Sequence, residues 1–402
     1  MTSIYDYDQR LAASKRNIKL LRNGEVSLRF LDHLGALGLS TARVSKYACH
    51  LPVLLRAMDF DLKDAARSDF EKVVAGINSG PFKEWTKHDK KLVIRKLLQY
   101  ERQGKCDRDT PFPPEVSWIK LRFNKDKDNR TTPESLLTPE DFIAMVRATQ
   151  NRRDRAMIYV LFEAALRPGE LLTMSVDSVA FKDEYCLIAV NGKTGIKRIP
   201  LVVSVKPLLE WLQDYPEKDN PKAPLWPSLS PHRTAGNLSY RHFRYLIKKI
   251  GKKAHLKKDV WPYLYRHTTL TAMAKVFTEA KLEQFAGWTY GSSMTRRYVH
   301  FSARDLEDAV LELHGLREVK KDRDIAKIIE CPRCKTKNPM GSVRCNLCGM
   351  FIDKETAFKF EEAEHLKNGD LQVKNEELTM RLEKLENVIS ALLTSQGEAN
   401  IR

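Results

Sequence analysis

Long apolar runs are missing from this 402-residue chain: no stretch approaches the roughly 18 uninterrupted apolar residues that a helix needs to cross a bilayer. That excludes a helical membrane protein. The opening MTSIYDYDQR is acidic and aromatic, where a secretion signal would be basic and then apolar, so the expected location is the cytoplasm. Cysteine is scarce as well. Of seven, Cys49, Cys106 and Cys186 are scattered and four form two C-x-x-C pairs, which speaks against a disulfide framework and for metal ligation in a reducing compartment. Longer internal repeats and low-complexity tracts are also absent. What remains is an ordinary composition, 42% hydrophobic and 30% charged, in a chain long enough for two or three domains that each bury a core.

Acidic side chains fall short of basic ones, 52 against 69, and the shortfall is uneven. Residues 353–402 carry 7 basic and 11 acidic side chains, a net −4, which leaves 62 basic and 41 acidic, or +21, on residues 1–352. A body that basic suits a polyanion, because each phosphate it neutralises releases condensed counterions. A merely solvated surface would look the same, so the partner has to be read from motifs.

Residues 8–104 read as helical throughout. LAASKRNIKLLRNGEVSLRFLDHLGALGLS repeats apolar residues every three or four positions, Ser40 is placed to cap a second helix, TARVSKYACHLPVLLRAM, and two more are expected around 65–77 and 82–102. Arg43, Lys46, Lys87, Lys90, Lys91 and Arg95 fall on its polar faces. Three prolines and a mixed charge run then mark a linker. LLTPEDFIAMVRAT opens a second domain, with Thr138 as N-cap, Pro139 at the first helical position and acids in the first turn. DEYCLIAVNGKTGIKRIPLVV alternates like two short strands around a glycine-rich turn. The expected fold is mainly α with a small β-sheet (α+β). Its expected parts are a helical domain over 1–105, a linker over 106–135, a second domain over 136–316, a cysteine module over 328–352 and a helical tail over 355–397.

Three clusters in the second domain carry chemistry: AALRPGELLTM with Arg167, YLYRHTTLTAMA with Arg266 and His267, and FAGWTYGSSMTRRYVHFS with Trp288 and Tyr298. Singly each has a bland reading, as a solvated helical pair, a helix terminus or a core tyrosine. In this order, with Gly192-Lys193-Thr194-Gly195 between the first two, they resemble the tyrosine recombinase (phage integrase) family. That family has an A-x-x-R-x-x-E-L box, a lysine on a glycine-rich β-turn, an H-x-x-R-H box, a G-[H/W] pair and then Y-x-H.

The resemblance implies that Tyr298 attacks a DNA phosphate to leave a covalent phosphotyrosine, which preserves the bond energy for rejoining. Arg167 and Arg266 would neutralise the equatorial oxygens without a metal. Lys193 would protonate the departing 5′ oxygen, with Lys197 as the nearest competitor. Tyr263 stands where most members have a histidine: its hydroxyl can bond a phosphate oxygen but, with a pKa near 10, shuttles protons poorly. Trp288 can donate its indole N–H and move no proton. Glu170 and His267 are expected to hold their helices and orient the arginines. IKKIGKKAHLKKD, with Lys248, Lys249, Lys252 and Lys253, reads beside such a site as a phosphate-backbone contact, as Arg43 and Lys46 do on the helical domain. The 8–104 segment resembles the family's core-binding domain by composition and position only.

CPRCKTKNPMGSVRCNLCG pairs Cys331 and Cys334 with Cys345 and Cys348, which suits a closed tetrahedral site for structural Zn²⁺ and resembles a zinc ribbon. Beyond it Leu371, Leu378, Leu385 and Leu392 fall at heptad d positions, Leu382 and Ile389 at a, and Asn375 at an earlier a. Such a tail either pairs subunits or docks on its own protein. Ribbon and charged tail together resemble archaeal integrases of mobile elements more than the compact bacterial type.

The expected function is a site-specific recombinase acting on double-stranded DNA at the nucleoid, as a homo-oligomer, by family analogy a tetramer on two DNA sites. No cofactor for catalysis, small-molecule substrate or membrane is expected. Two other readings stay open: a type IB-like topoisomerase, and a non-catalytic DNA-binding regulator that retains the fold.

Overall fold

A computed structural model describes residues 4–107, 109–121, 132–192, 195–229, 236–301 and 328–353, with 310, 314, 358, 374–382, 384 and 386 beyond them. It is mostly helical, with two small antiparallel sheets. The first helical group comprises α1 (Tyr7–Lys19), α2 (Gly24–Ala36), α3 (Thr41–Arg56), α4 (Arg67–Ser79), α5 (Glu84–Gln103) and the single turn α6 (Pro114–Ser117). Its core is one cluster that includes Phe30, Leu51, Phe70 and Leu97.

The first expected helix is in fact two. Asn23 adopts a left-handed φ of 59°, and its side chain bridges to Phe60 O and Leu62 N at 3.0 and 2.9 Å, so the chain turns there in spite of its helical periodicity. Ser40 does precede α3, but its side chain makes no capping bond. Lys90 is not on a polar face: it is 2% exposed and lies 4.2 Å over the Phe82 ring. The first part of the expected linker belongs to this group too. Cys106, Val116 and Ile119 are buried in its core, and Lys96 and Gln99 donate to the carbonyls of Cys106 and Thr110.

The second group runs α7 (Pro139–Arg147), α8 (Arg152–Ala164), α9 (Pro168–Leu172), strands β1 (Val179–Phe181), β2 (Cys186–Gly192) and β3 (Gly195–Leu201), then α10 (Val205–Asp214), α11 (Tyr240–Lys253), α12 (Pro262–Ala274), α13 (Glu279–Ala286) and α14 (Met294–Phe301). The strands form a sheet in sequence order, with Gly192 opposite Gly195 at the hairpin end. Thr138 caps α7, accepting from Asp141 N at 3.2 Å, with Pro139 in the first turn. Helix α8 is buried nearly all round and forms the spine of the larger core. Glu163 near its end accepts from Val202 N, Val203 N, Ser204 N and Ser204 Oγ, and so fixes the exit of the hairpin against α8.

The chain start is distributed unexpectedly. Ile4 joins the second core and accepts from Tyr240 N at 2.9 Å, so residues before α1 strap onto the second group. The cysteine module, with β4 (Ile328–Glu330) paired to β5 (Lys337–Pro339), packs on α7 and α8. Arg147 pairs with Asp353 at 2.7 Å, and buried Tyr159 donates to Met340 O. Most of the heptad tail, including Leu371, Leu385, Ile389 and Leu392, lies outside the described residues; Leu378 and Leu382 are helical and exposed.

Candidate active site

Arg266 is the residue around which the separated motifs meet. It sits on α12, is 3% exposed, and donates to Ala165 O at 2.7 Å and Ala286 O at 2.8 Å, the carbonyl ends of α8 and α13. Ala165 takes a left-handed φ of 48°, uncommon for alanine, and so offers that carbonyl to the guanidinium. Burial, then the neighbouring Arg167, lower the Arg266 pKa to about 10, which still leaves the cation intact at neutral pH.

Arg167 precedes α9. Glu170, buried one turn on, accepts from Arg167 N at 2.9 Å and from its Nη1 at 2.6 Å, while Nη2 reaches Gly287 O at 3.4 Å. Glu170 Oε2, which accepts from Arg167 N, also pairs with Lys197 Nζ at 2.9 Å. Glu170 therefore orients Arg167, as expected, and links it to β3. Lys193 lies outside the described residues. Lys197 is buried with its ammonium on Glu170, and desolvation lowers its pKa to about 8. Gly287, with φ 65°, lets α13 end against the Lys197 stem, where a Cβ would sit 3.0 Å from Cδ.

Tyr298 is 2% exposed and packs with Ala165, Leu270, Leu282 and Ala286 in a small third core. Its ring stacks with two others: Trp288 at 5.4 Å between centroids, and His267 at 5.9 Å. The hydroxyl is 2.9 Å from His267 Nδ1. Burial raises the Tyr298 pKa, and Arg266, Arg297 and Arg167 oppose the shift. Trp288 also lies under the Arg266 guanidinium, 5.6 Å away. His267, expected to orient the arginines, instead bonds the tyrosine. The side chain of His300 is outside the described residues.

Glu283 on α13 carried no signal in the motifs, yet it positions the tyrosine helix. It is buried and accepts from Gly291 N, Ser292 N and Thr295 Oγ1, fixing the loop that enters α14. A buried carboxylate on a helix of otherwise ordinary composition is visible only once the loop folds back on it.

Tyr263 is 40% exposed and lines an open cleft of about 780 Å³ with His267 and Arg297. Lys248 and Lys258 line it from the second group, and Lys83 and Trp85 from the first. Of the lysine run, Lys248 pairs with Asp259 at 3.3 Å, while Lys249 and Lys253 border a different depression. Lys258 is structural, tied to Asp141 Oδ2 and Leu136 O at 2.7 and 2.6 Å. Lys252 is exposed. On the first group, exposed Arg43 lies over Tyr47, and Lys46 pairs with Asp89 at 2.7 Å.

The sulfurs of Cys331, Cys334, Cys345 and Cys348 lie within 4.8 Å of one another, with Cys334 to Cys345 at 3.4 Å and Cys331 to Cys348 at 3.6 Å. Metal–sulfur bonds of about 2.3 Å in a tetrahedron put sulfurs about 3.8 Å apart, so the donor set fits one ion. The two knuckles repeat one backbone plan: Lys335 N bonds Cys331 O and Gly349 N bonds Cys345 O, each at 2.9 Å, with left-handed φ of 60° and 71°. The cluster can bind a metal ion.

A profile of the Phage integrase family matches residues 136–304. Among curated relatives, tyrosine recombinase XerA of Pyrococcus horikoshii is 27% identical over 219 residues, 54% of this chain and 71% of that protein. A tyrosine recombinase of Synechococcus elongatus is 27% identical over 45% of this chain and 55% of its own length. XerD of Vibrio vulnificus is 23% identical over 69% of this chain and 90% of its own length. The fold is that of XerH site-specific recombinase bound to a palindromic difH substrate in a post-cleavage complex (TM-score 0.53, 17% identity, 78% of this chain and 98% of that one). It is also that of a lambda integrase tetramer bound to a Holliday junction (TM-score 0.52, 14% identity, 68% and 76%). The profile falls on the residues that converge around Arg266, and the relatives agree with it: residues 136–304 carry a domain of the phage integrase, or tyrosine recombinase, family.

Proposed function

We propose that the protein is a site-specific DNA recombinase that cleaves and rejoins duplex DNA through a covalent 3′-phosphotyrosyl intermediate. The observation that carries this is the convergence of Arg167, Arg266, Trp288 and Tyr298, which come from four separate elements, onto one wall. A regulator that only held DNA would have no use for a buried tyrosine stacked with two rings and backed by two guanidiniums.

In this reading Tyr298 Oη attacks phosphorus and the P–O5′ bond breaks. Arg167 and Arg266 are fixed before substrate arrives, so their charge meets the equatorial oxygens without reorganisation; one such donor is worth about 2.7–4 kcal/mol of barrier. Lys193 supplies the proton to the 5′ oxygen, while Lys197, held on Glu170, serves position. The Trp288 indole N–H and the Tyr263 hydroxyl remain as neutral donors toward phosphate.

The helical unit over residues 1–121 and the catalytic unit after 132 close around a duplex. Arg43 and Lys46 on one side and Lys248, Lys249, Lys252 and Lys253 on the other contact its backbone, with four subunits working on two sites in association with the chromosome. The four cysteines hold Zn²⁺ in a structural ribbon: filled d¹⁰ zinc accepts a tetrahedral thiolate set without redox chemistry. The tail from 355 to 397 supports subunit pairing.

Incubating the protein with nicked duplex DNA from the region flanking its own coding sequence should give a protein–DNA adduct that survives denaturing electrophoresis. Tyr298→Phe should bind that DNA and give none. An adduct that persists in Tyr298→Phe, or its absence from every fragment the unaltered protein binds, overturns the proposal; adding a second site then separates recombination from simple relaxation.

A further inference from the structure

We infer that His267 is the general base for Tyr298, its Nδ1 taking the phenol proton as Oη attacks phosphorus. The inference rests on the recombinase reading above and adds to it a residue for which the sequence suggested only a supporting role.

The geometry is that of a proton transfer set in advance. Nδ1 stands 2.9 Å from Oη, within the range for general-base contact. The His267 and Tyr298 rings lie nearly parallel, 28° apart, and Trp288 also stacks on Tyr298, 24° from parallel, which restrains the phenol. Thr271 Oγ1 donates to His267 O at 2.8 Å on the same helix.

Tyr263, one helical turn earlier on α12, stands where the family pattern has a histidine. Burial raises its pKa above the ordinary 10, so at neutral pH it keeps its own proton and takes no other. The imidazole four residues on lines the same cleft. A substitution at one position and a contact at the next turn thus fit together.

His267 meets Arg266 on its own helix and Arg297 and Tyr298 on α14. Burial first, then Arg297 and Arg266, lower its pKa to about 4, so the ring starts neutral and, with its proton on Nε2, offers the Nδ1 lone pair to Oη. A phosphate bound against these arginines offsets their charge and raises the basicity of His267 at the moment of use.

The step balances. The Oη–H bond breaks and its proton moves to Nδ1; an Oη lone pair forms the O–P bond; the P–O5′ electrons leave with the 5′ oxygen, which takes a proton from Lys193 in the reading above. In rejoining, the imidazolium returns its proton to Oη as the phenol departs.

The test is single-turnover adduct formation on the nicked duplex, with filter binding of the same DNA and thermal melting as controls. His267→Asn puts an amide near Nδ1 that holds a hydrogen bond but accepts no proton, with His267→Gln as the parallel variant should the first not fold. We expect DNA binding retained and adduct formation slowed about 10²- to 10⁴-fold, the range of general-base catalysis. Installing 3,5-difluorotyrosine at position 298, whose phenol ionises more easily, should speed His267→Asn far more than the unaltered chain. A variant that cleaves within about threefold of the unaltered rate, or an equal gain from fluorination in both backgrounds, overturns the inference alone. No adduct from the unaltered chain overturns the recombinase reading and the inference with it.

Discussion

At the scale of single residues, the protein spends burial on charge. Glu170, Lys197, Arg266 and Glu283 are each under 10% exposed, and each is met by an opposite charge, by carbonyls or by amide donors. Removing one partner of such a set costs more than the pair contributes, because the other is left desolvated. His267 reports the same environment through pH. Its folded pKa, about 4, lies below the unfolded value of 6.5, so between those limits the unfolded chain binds a proton that the folded chain refuses. Stability conferred by its neutral form is complete above about pH 6.5 and is lost as pH falls toward 4, by about 3 kcal/mol in all. Denaturant unfolding of His267→Asn at pH 7 and pH 4 should show an acid loss smaller by that order; an unchanged loss would place the shift elsewhere.

At the scale of elements, the site is built from helix ends. The carbonyls that finish α8 and α13 hold Arg266, the start of α9 presents Arg167, and α14 is aimed by the Glu283 carboxylate at its entrance. Glu283→Ala leaves two backbone amides and a threonine hydroxyl without their acceptor. Bonds to a charged group are worth about 1.5–3 kcal/mol each, and water at the loop recovers part of that. We expect a net loss of about 2 kcal/mol in thermal or denaturant unfolding, with adduct yield falling further than stability explains because Tyr298 loses its aim. Equal activity per folded molecule would show that α14 is positioned by Thr295 and the third core alone.

At the scale of the whole molecule, two segments remote in sequence brace the catalytic unit: the strap at Ile4 and the cysteine module docked on α7 and α8 through Tyr159 and Arg147. In the reading proposed above, a module this small depends on a bound ion for its fold. Stripping the metal with a chelator should expose Tyr159 and lower the melting temperature of the catalytic unit by a few degrees. Fluorescence and calorimetry read both. A melting curve indifferent to chelation, with metal loss verified, would make the module a passive appendage.

How much of this was legible beforehand follows from what periodicity and spacing can encode. Local rules placed α3 to α5, the capped start of α7, the β2–β3 hairpin and the paired cysteines, because caps, alternation and C-x-x-C spacing act over a few residues. They failed at Asn23, where a side-chain bridge to residues nearly forty positions away outweighs helical propensity, and at residues 106–121, where apolar side chains among prolines find a core the sequence does not reveal. The motif boxes identified Arg167, Arg266, Trp288 and Tyr298 as types in order; their order says nothing of contact. That His267 bonds the tyrosine, that Lys197 is spent on Glu170 and that Glu283 aims α14 depended on packing between elements, since each partnership joins groups that only the closed fold brings within 3.1 Å.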